Sequence, residues 1–215
     1  MVRRVWMLAG AAFFILHSSF FISCSKDDDD TTVQTLLNWQ SANDQYFLSL
    51  EKKYAACTDG SWLKFKSYTL GADSVKGGAF DYVYVEVLEK TSDPLAASPL
   101  YTDSVRVSYQ GRLIPTTANS KGTVFGGTVY GEYNPKTNGT SKFAVATVVY
   151  GFGTALMHMQ IGDTWRVYVP SYLGYGTSSV GSIPANSTLI FDVTLVDIAK
   201  PGNSMRPYSA PRKME

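Results

Sequence analysis

Between Leu189 and Val196 the side chains alternate strictly, with Leu189, Phe191, Val193 and Leu195 on one side and Ile190, Asp192, Thr194 and Val196 on the other. A period of two places successive residues on opposite faces of an extended chain, so Thr188–Ile198 is predicted as a strand. The same pattern recurs at VRVSYQGRL, where Val105, Val107, Tyr109 and Leu113 share one face and Arg106, Ser108, Gln110 and Arg112 the other. It recurs again at DYVYVEVL (81–88) and at Trp165–Val169, and KFAVATVV (142–149) reads as a further strand. The mixed segment 57–78 accommodates one around Trp62–Tyr68. Residues 91–99 have the Ser, Asp and Pro content of a turn, and 114–142 read as long loops around Phe125, with room for a short strand at Thr128–Tyr130.

Helical periodicity is confined to two places. Phe152, Ala155, Leu156 and Met159 recur at i, i+3, i+4 and i+7, one stripe of a short helix that Gly162 is placed to end. Thr31–Tyr54 contains no Gly or Pro, and Val33, Leu36, Leu37, Phe47, Leu50 and Tyr54 recur at roughly helical spacing, with Thr31 or Thr32 near the N-cap. This longer helix is expected to pack on the following domain or to space it from a membrane. The sum is an α+β fold, a curved antiparallel β-sheet wrapped on one short α-helix and preceded by an N-terminal helix. A gap between that sheet and helix would be lined by aromatics and valines, the chemistry of an apolar ligand pocket.

The N-terminus belongs to targeting rather than to the fold. Arg3 and Arg4 precede an apolar run and Cys24 follows Phe21-Ile22-Ser23, a sequence that resembles a bacterial lipobox, in which the thiol is acylated and the chain cut before it. An uncleaved anchor is the alternative, since Val5–Ile22 carries no formal charge over 18 residues. SKDDDD, directly behind Cys24, resembles the acidic tether of Bacteroides-type lipoproteins. The expected organisation is a signal peptide at 1–23, an acidic tether at 24–30 after lipidated Cys24, a helical spacer and linker at 31–78, a folded domain at 79–199 and a disordered tail at 200–215. The location implied is the outer membrane, facing the periplasm or the cell surface.

Composition excludes several classes of function. A formal charge of +1 without a basic patch gives no electrostatic footprint for nucleic acid. With Cys24 acylated, Cys57 is the only thiol left, and no Cys/His cluster indicates a metal. Gly151-Phe-Gly153 and Gly174-Tyr-Gly176 do not complete a dinucleotide fingerprint, and no cofactor is expected. His158 lies off the Phe152/Met159 stripe and reads as a half-exposed helix residue rather than a base. No Ser/His/Asp set or paired-carboxylate site can be assembled, so any chemistry here has to proceed without a charged group.

Five segments in order, V-x-V-x-Y-x-G-x-L at 105–113, Phe125 after the following loop, VVYGFGTALMHMQIGD, the strand ending PSYLGYG, and IPANSTLIFDVTLVDI, resemble the FKBP family of peptidyl-prolyl cis/trans isomerases over roughly residues 80–199. The resemblance implies a pocket formed by Tyr109, Phe125, Phe143, Val148, Val149, Phe152, Tyr175, Ile183 and Phe191, with the Val149 N–H and the Tyr175 hydroxyl donating to a bound carbonyl. Simple core packing is the expectation for Val148 and Phe191. Within PSYLGYG, Tyr172 and Leu173 are expected to pack locally while Tyr175 points into the cleft.

Two positions depart from the family pattern. Gly126, counted with Phe143 among the substrate-binding positions, stands where the family has an aspartate that tunes ligand binding and activity, and Phe152 where it usually has tryptophan. The loop from Tyr109 to Phe125 is also long. The implied partners are proline-containing segments of exported proteins and macrolide inhibitors, with the membrane reached through the lipid anchor. A weakly active peptide-binding or chaperone lipoprotein stays open as an alternative, and a surface glycan-binding lipoprotein as a more distant one.

Overall fold

The structure, a computed structural model, describes residues 27–71, 77–129, 131–132, 134 and 138–205, with the backbone alone over 27–34. In chain order the elements are α1 (Asp27–Ala56), β1 (Trp62–Lys66), β2 (Tyr82–Glu89), β3 (Ser104–Arg112), β4 (Val124–Gly127), β5 (Ser141–Ala144), α2 (Tyr150–His158), β6 (Thr164–Val169) and β7 (Leu189–Ala199). The strands form one antiparallel sheet in the order β1-β2-β6-β7-β3-β4, and β5 pairs with the N-terminal half of β3 beyond the reach of β4.

One face of the sheet carries Val83, Val85, Val105, Val107, Trp165, Val167, Val169, Leu189, Phe191, Val193 and Leu195, all buried, and α2 lies across it. The alternation in β7 survives to Leu195 and then slips. Val107 pairs with Leu195 but Arg106 with Asp197, so an extra residue in β7 brings Ile198 opposite Val105 and keeps it on the core side. Gly151 lets the first turn of α2 approach the sheet, for a Cβ there would fall on Val169 and lie 3.1 Å from Val83. The helix ends at His158, where the Met159 N–H reaches back to the Ala155 and Leu156 carbonyls. Gly162, expected to end α2, instead takes a φ of 98° in the turn into β6.

The second face is covered by α1. Phe47 and Leu50, fully buried, pack on Tyr84, Tyr168 and Ile190, with Phe47 edge-on to Tyr84 at 5.3 Å. Of the stripe expected for this helix, Leu36, Leu37 and Tyr54 are exposed, because the docked surface is narrower than the periodicity suggested. The helix also starts at Asp27, ahead of Thr31 and Thr32; acidic residues suit a first turn because they oppose the positive end of the helix dipole.

Other expectations are corrected in detail. KFAVATVV is strand only through Ala144, and Val145–Thr147 forms a single 3-10 turn that redirects the chain into α2. The short strand of the 114–142 region is Val124–Gly127 rather than Thr128–Tyr130, and Tyr130 lies outside the described residues. The leader, Cys24 and residues 206–215 of the expected tail also lie outside them.

Candidate active site

Between α2 and the sheet runs a connected series of aromatic rings. Phe143 of β5 meets Tyr109 of β3 edge-on at 5.5 Å, Tyr109 lies 6.3 Å from Phe152 of α2, Phe152 lies 4.6 Å from Phe191 of β7, and Phe191 meets Phe125 edge-on at 5.7 Å. Offset and edge-to-face contacts at these distances are the favoured geometries for aromatic pairs. Phe152 and Phe191 are buried and form the floor, whereas Tyr109, Phe125 and Phe143 are half-buried and form the walls. Phe191 is therefore core and lining at once. Phe125, expected in a loop, sits on β4.

Gly111 makes the Phe125–Phe191 contact possible. A Cβ at Gly111 would fall on the Phe125 ring, 2.6 Å from Cζ, and lie 3.1 Å from Phe191 Cε1. It belongs to the floor of the site although it contributes no side chain, and a glycine inside a strand pattern is the sequence signal for such a close approach. Opposite Gly111 on β4, Gly126 faces open space, with nothing within 4 Å of a Cβ built there.

The rim is formed by two turns and the start of α2. Val148 and Val149 are both half-buried and pack against the core. The Val149 carbonyl accepts from the Gly153 N–H at 3.0 Å, while its own N–H has no backbone acceptor among the described residues. A helix N-terminus leaves its first donors without intrahelical partners, which makes this N–H available to a ligand carbonyl. Ile183 is buried and closes a tight turn with Val180 through paired backbone bonds of 2.9 and 3.0 Å.

Tyr175 follows the single turn Ser171–Leu173 and is 38% exposed. Its position depends on Gly176, whose φ of 60° lets its N–H return to the Ser171 carbonyl at 2.8 Å. The Tyr109 phenol is held above its usual pKa, first by burial and second by the neighbouring Tyr175 phenol. Leu173 packs inward as expected, but Tyr172 is 65% exposed and does not pack locally. His158 is exposed, its ring stacked on Phe65 at 4.1 Å with Nδ1 2.9 Å from the Thr154 carbonyl, away from the aromatic series.

A second concavity, of about 620 Å³, opens on the opposite face of the sheet between α1 and the 113–132 loop, and its chemistry is different. At its floor Asp192 accepts from Arg166 Nε at 2.6 Å and Nη2 at 3.1 Å, and from Arg112 Nη2 at 2.6 Å. Arg166 is held even more firmly protonated than usual, chiefly by that bond to Asp192. Tyr168 donates to Glu86 at 3.2 Å, and its phenol is pushed well up by burial first and by Tyr46 and Glu86 after that. These charges satisfy one another. The aromatic cleft, with uncommitted donors at its rim, is the better candidate for binding a neutral group.

Residues 96–196 match the family described as FKBP-type peptidyl-prolyl cis-trans isomerase. Over 105 residues the chain is 40% identical to the outer membrane protein MIP of Legionella longbeachae, covering 48% of this chain and 40% of that protein. Over 104 residues it is 40% identical to an FKBP-type 22 kDa peptidyl-prolyl cis-trans isomerase of Escherichia coli, covering 47% of this chain and 44% of that one. The chain thus spans less than half the length of these curated relatives. Among solved structures, FkpA of Escherichia coli superposes with a TM-score of 0.53 at 22% identity, covering 83% of this chain and 75% of that one. A peptidyl-prolyl cis-trans isomerase of Pseudomonas syringae superposes with a TM-score of 0.52 at 20% identity, covering 75% and 96%. These likenesses establish an FKBP-like fold.

Proposed function

We propose, from the match of residues 96–196 to the FKBP-type isomerase family, that this chain catalyses rotation about X–Pro peptide bonds and so assists the folding of exported proteins. The observation that carries the reading is the charge-free run of rings from Phe143 to Phe125, with the Val149 N–H left without a backbone acceptor among the described residues.

Rotation about the bond disrupts amide resonance, at a barrier of about 18–20 kcal/mol. The twisted amide is less polar than the planar one, so a dry apolar cleft favours it over the ground state, and only such differential binding lowers a barrier. Each tenfold of rate requires about 1.4 kcal/mol. Phe125, Phe152, Phe191, Val148, Val149 and Ile183 would hold the proline ring, with Tyr109 and Phe143 closing the wall. The Val149 N–H and Tyr175 hydroxyl would fix a flanking carbonyl. No proton transfer or covalent intermediate is needed. The test is cis-to-trans exchange of a Leu-Pro peptide: acceleration at micromolar protein is expected, and its absence would sink the reading.

Gly126 favours a second reading, in which the cleft binds peptide and turns over slowly. A Cβ added at Gly126 meets nothing within 4 Å, so a side chain can be introduced there. Gly126→Asp is expected to raise kcat/KM and macrolide affinity severalfold; a variant that folds and changes neither would remove this position from the argument.

We further propose that the chain is an outer-membrane lipoprotein held through Cys24. The lipobox-like sequence supports this, as does the name of the Legionella relative. Among the described residues no helix is long and apolar enough to cross a membrane. Metabolic labelling with palmitate, abolished by Cys24→Ala, tests the anchor, and proteolysis of intact cells distinguishes periplasmic from surface exposure.

A further inference from the structure

We infer that α1 is a positioning element of the candidate isomerase site, gripping the segment 184–188 that fixes Ile183 and the Tyr175 turn; the inference rests on reading that cleft as the place where peptide binds. Asn43 is fully buried on α1, and both ends of its amide are used. Its Nδ2 donates to the Trp39 carbonyl at 2.8 Å, and its Oδ1 accepts from the Thr188 N–H at 2.8 Å. Thr188 Oγ1 lies 3.4 Å from the Asn43 carbonyl and donates to it. One turn earlier, Trp39 Nε1 donates to Ser187 Oγ at 3.1 Å, and that hydroxyl donates to the Pro184 carbonyl at 2.6 Å. Gln40 Oε1 accepts from Asn186 Nδ2 at 3.3 Å.

The gripped residues are those that connect the two rim elements. Pro184 directly follows Ile183. Asn186 takes a φ of 58°, unusual for a residue with a side chain, and its N–H donates to the Gly176 carbonyl at 2.8 Å, directly after Tyr175. Trp39, Gln40 and Asn43 share one side of the helix and meet three consecutive residues of the loop. All three lie outside residues 96–196, so a segment external to the matched domain fixes the loop that carries its rim. Buried polar groups with every partner in place specify one geometry, and a ligand-holding group is effective only if its support is rigid. Docking of α1 by Phe47 and Leu50 alone would leave this loop only its internal bonds, such as Asn186 to Gly176 and Ala185 to Ser179 Oγ.

The test uses the full chain with Asn43→Ala, Trp39→Phe and Ser187→Ala, reading amide exchange over 175–188, thermal stability, and kcat and KM on a Leu-Pro peptide. Asn43→Ala is expected to speed exchange at Asn186–Thr188 roughly tenfold and to lower kcat/KM by roughly tenfold, mainly through a raised KM. The milder Trp39→Phe and Ser187→Ala shift the same quantities about threefold and serve if Asn43→Ala does not fold. A merely structural defect lowers the active fraction, hence kcat, at unchanged KM. Folded variants with wild-type KM and wild-type exchange at 186–188 would overturn the inference. If the wild type does not accelerate exchange, the isomerase reading fails, and the dissociation constant of a proline peptide, measured on the same samples, takes the place of KM in deciding for or against the clamp.

Discussion

The two faces of the sheet solve the same problem, covering a twisted surface with one helix, in opposite ways. On the α2 side the helix meets a series of aromatic rings, Tyr109 the one with a polar group among them, and the Val149 N–H at its start has no backbone acceptor among the described residues. On the α1 side a concavity of about 620 Å³ opens over charged groups, with Asp192 shared between Arg112 and Arg166. Neighbouring residues of the same strand serve both: Phe191 is floor of the cleft and Asp192 is the centre of the ion cluster. A single strand thus separates a surface that can accept a neutral ligand from one whose charges are already matched. The comparison shows that concavity alone does not mark a site; uncommitted groups do.

The largest way to break the comparison is at Asp192. Asp192→Ala leaves two arginines without their buried counter-ion and is expected to cost about 3–5 kcal/mol in urea unfolding, while the folded fraction keeps its Leu-Pro exchange activity. Replacing Arg112, Arg166 and Asp192 together by apolar residues of similar volume is expected to recover most of that loss. A loss of specific activity on Asp192→Ala would show that the two faces are not independent.

Next comes Gly111→Ala, which forces Phe125 and Phe191 apart. It is expected to lower stability by about 1–3 kcal/mol and, unlike the change at Asp192, to reduce kcat/KM in the folded protein at least tenfold, about 1.4 kcal/mol. Tyr175→Phe sharpens the contrast further. It removes one rim donor and should lower kcat/KM about fivefold, near 1 kcal/mol, with an unchanged melting temperature. Unchanged kinetics would remove Tyr175 from the site.

The smallest effect lies just before the start of β3. Burial alone would raise the Asp103 pKa, but bonds from Lys200 Nζ and the Leu100 N–H, both 2.8 Å, together with the Lys200 charge, leave it lowered. A lowered carboxylate pKa contributes stability that is complete above the unfolded value of about 3.9 and is lost as pH falls through the folded one. Lys200→Met should weaken that acid dependence and cost less than about 1 kcal/mol at neutral pH, measured by urea titration at pH 3 and pH 7.

Strands β2, β3, β6 and β7 were legible because each places apolar, mostly valine or leucine, side chains toward α2 at a period of two, although the opposite face is largely buried as well. The slip after Leu195 was not, since a bulge is set by the partner strand. Val145–Thr147 read as strand because valine and alanine are apolar in either conformation. Strand β4, four residues long and half glycine, offers no period to read. The aromatic members of the cleft were identified through their order along the chain. Gly111 and Asn43 were missed for different reasons: one acts through the side chain it lacks, and the other through a backbone N–H 145 residues away.

The position of β7 also bears on how the chain acquires its fold. It is the last strand among the described residues, yet it lies between β6 and β3 and joins the two halves of the sheet. A chain emerging from its N-terminus can form the β1–β2 hairpin early, but β3 has no path to β6 until residues 189–199 are present. Such non-local closure is slow and leaves strand edges exposed meanwhile. A protein proposed to hasten the folding of others therefore has a nascent state that itself depends on protection until its final strand arrives.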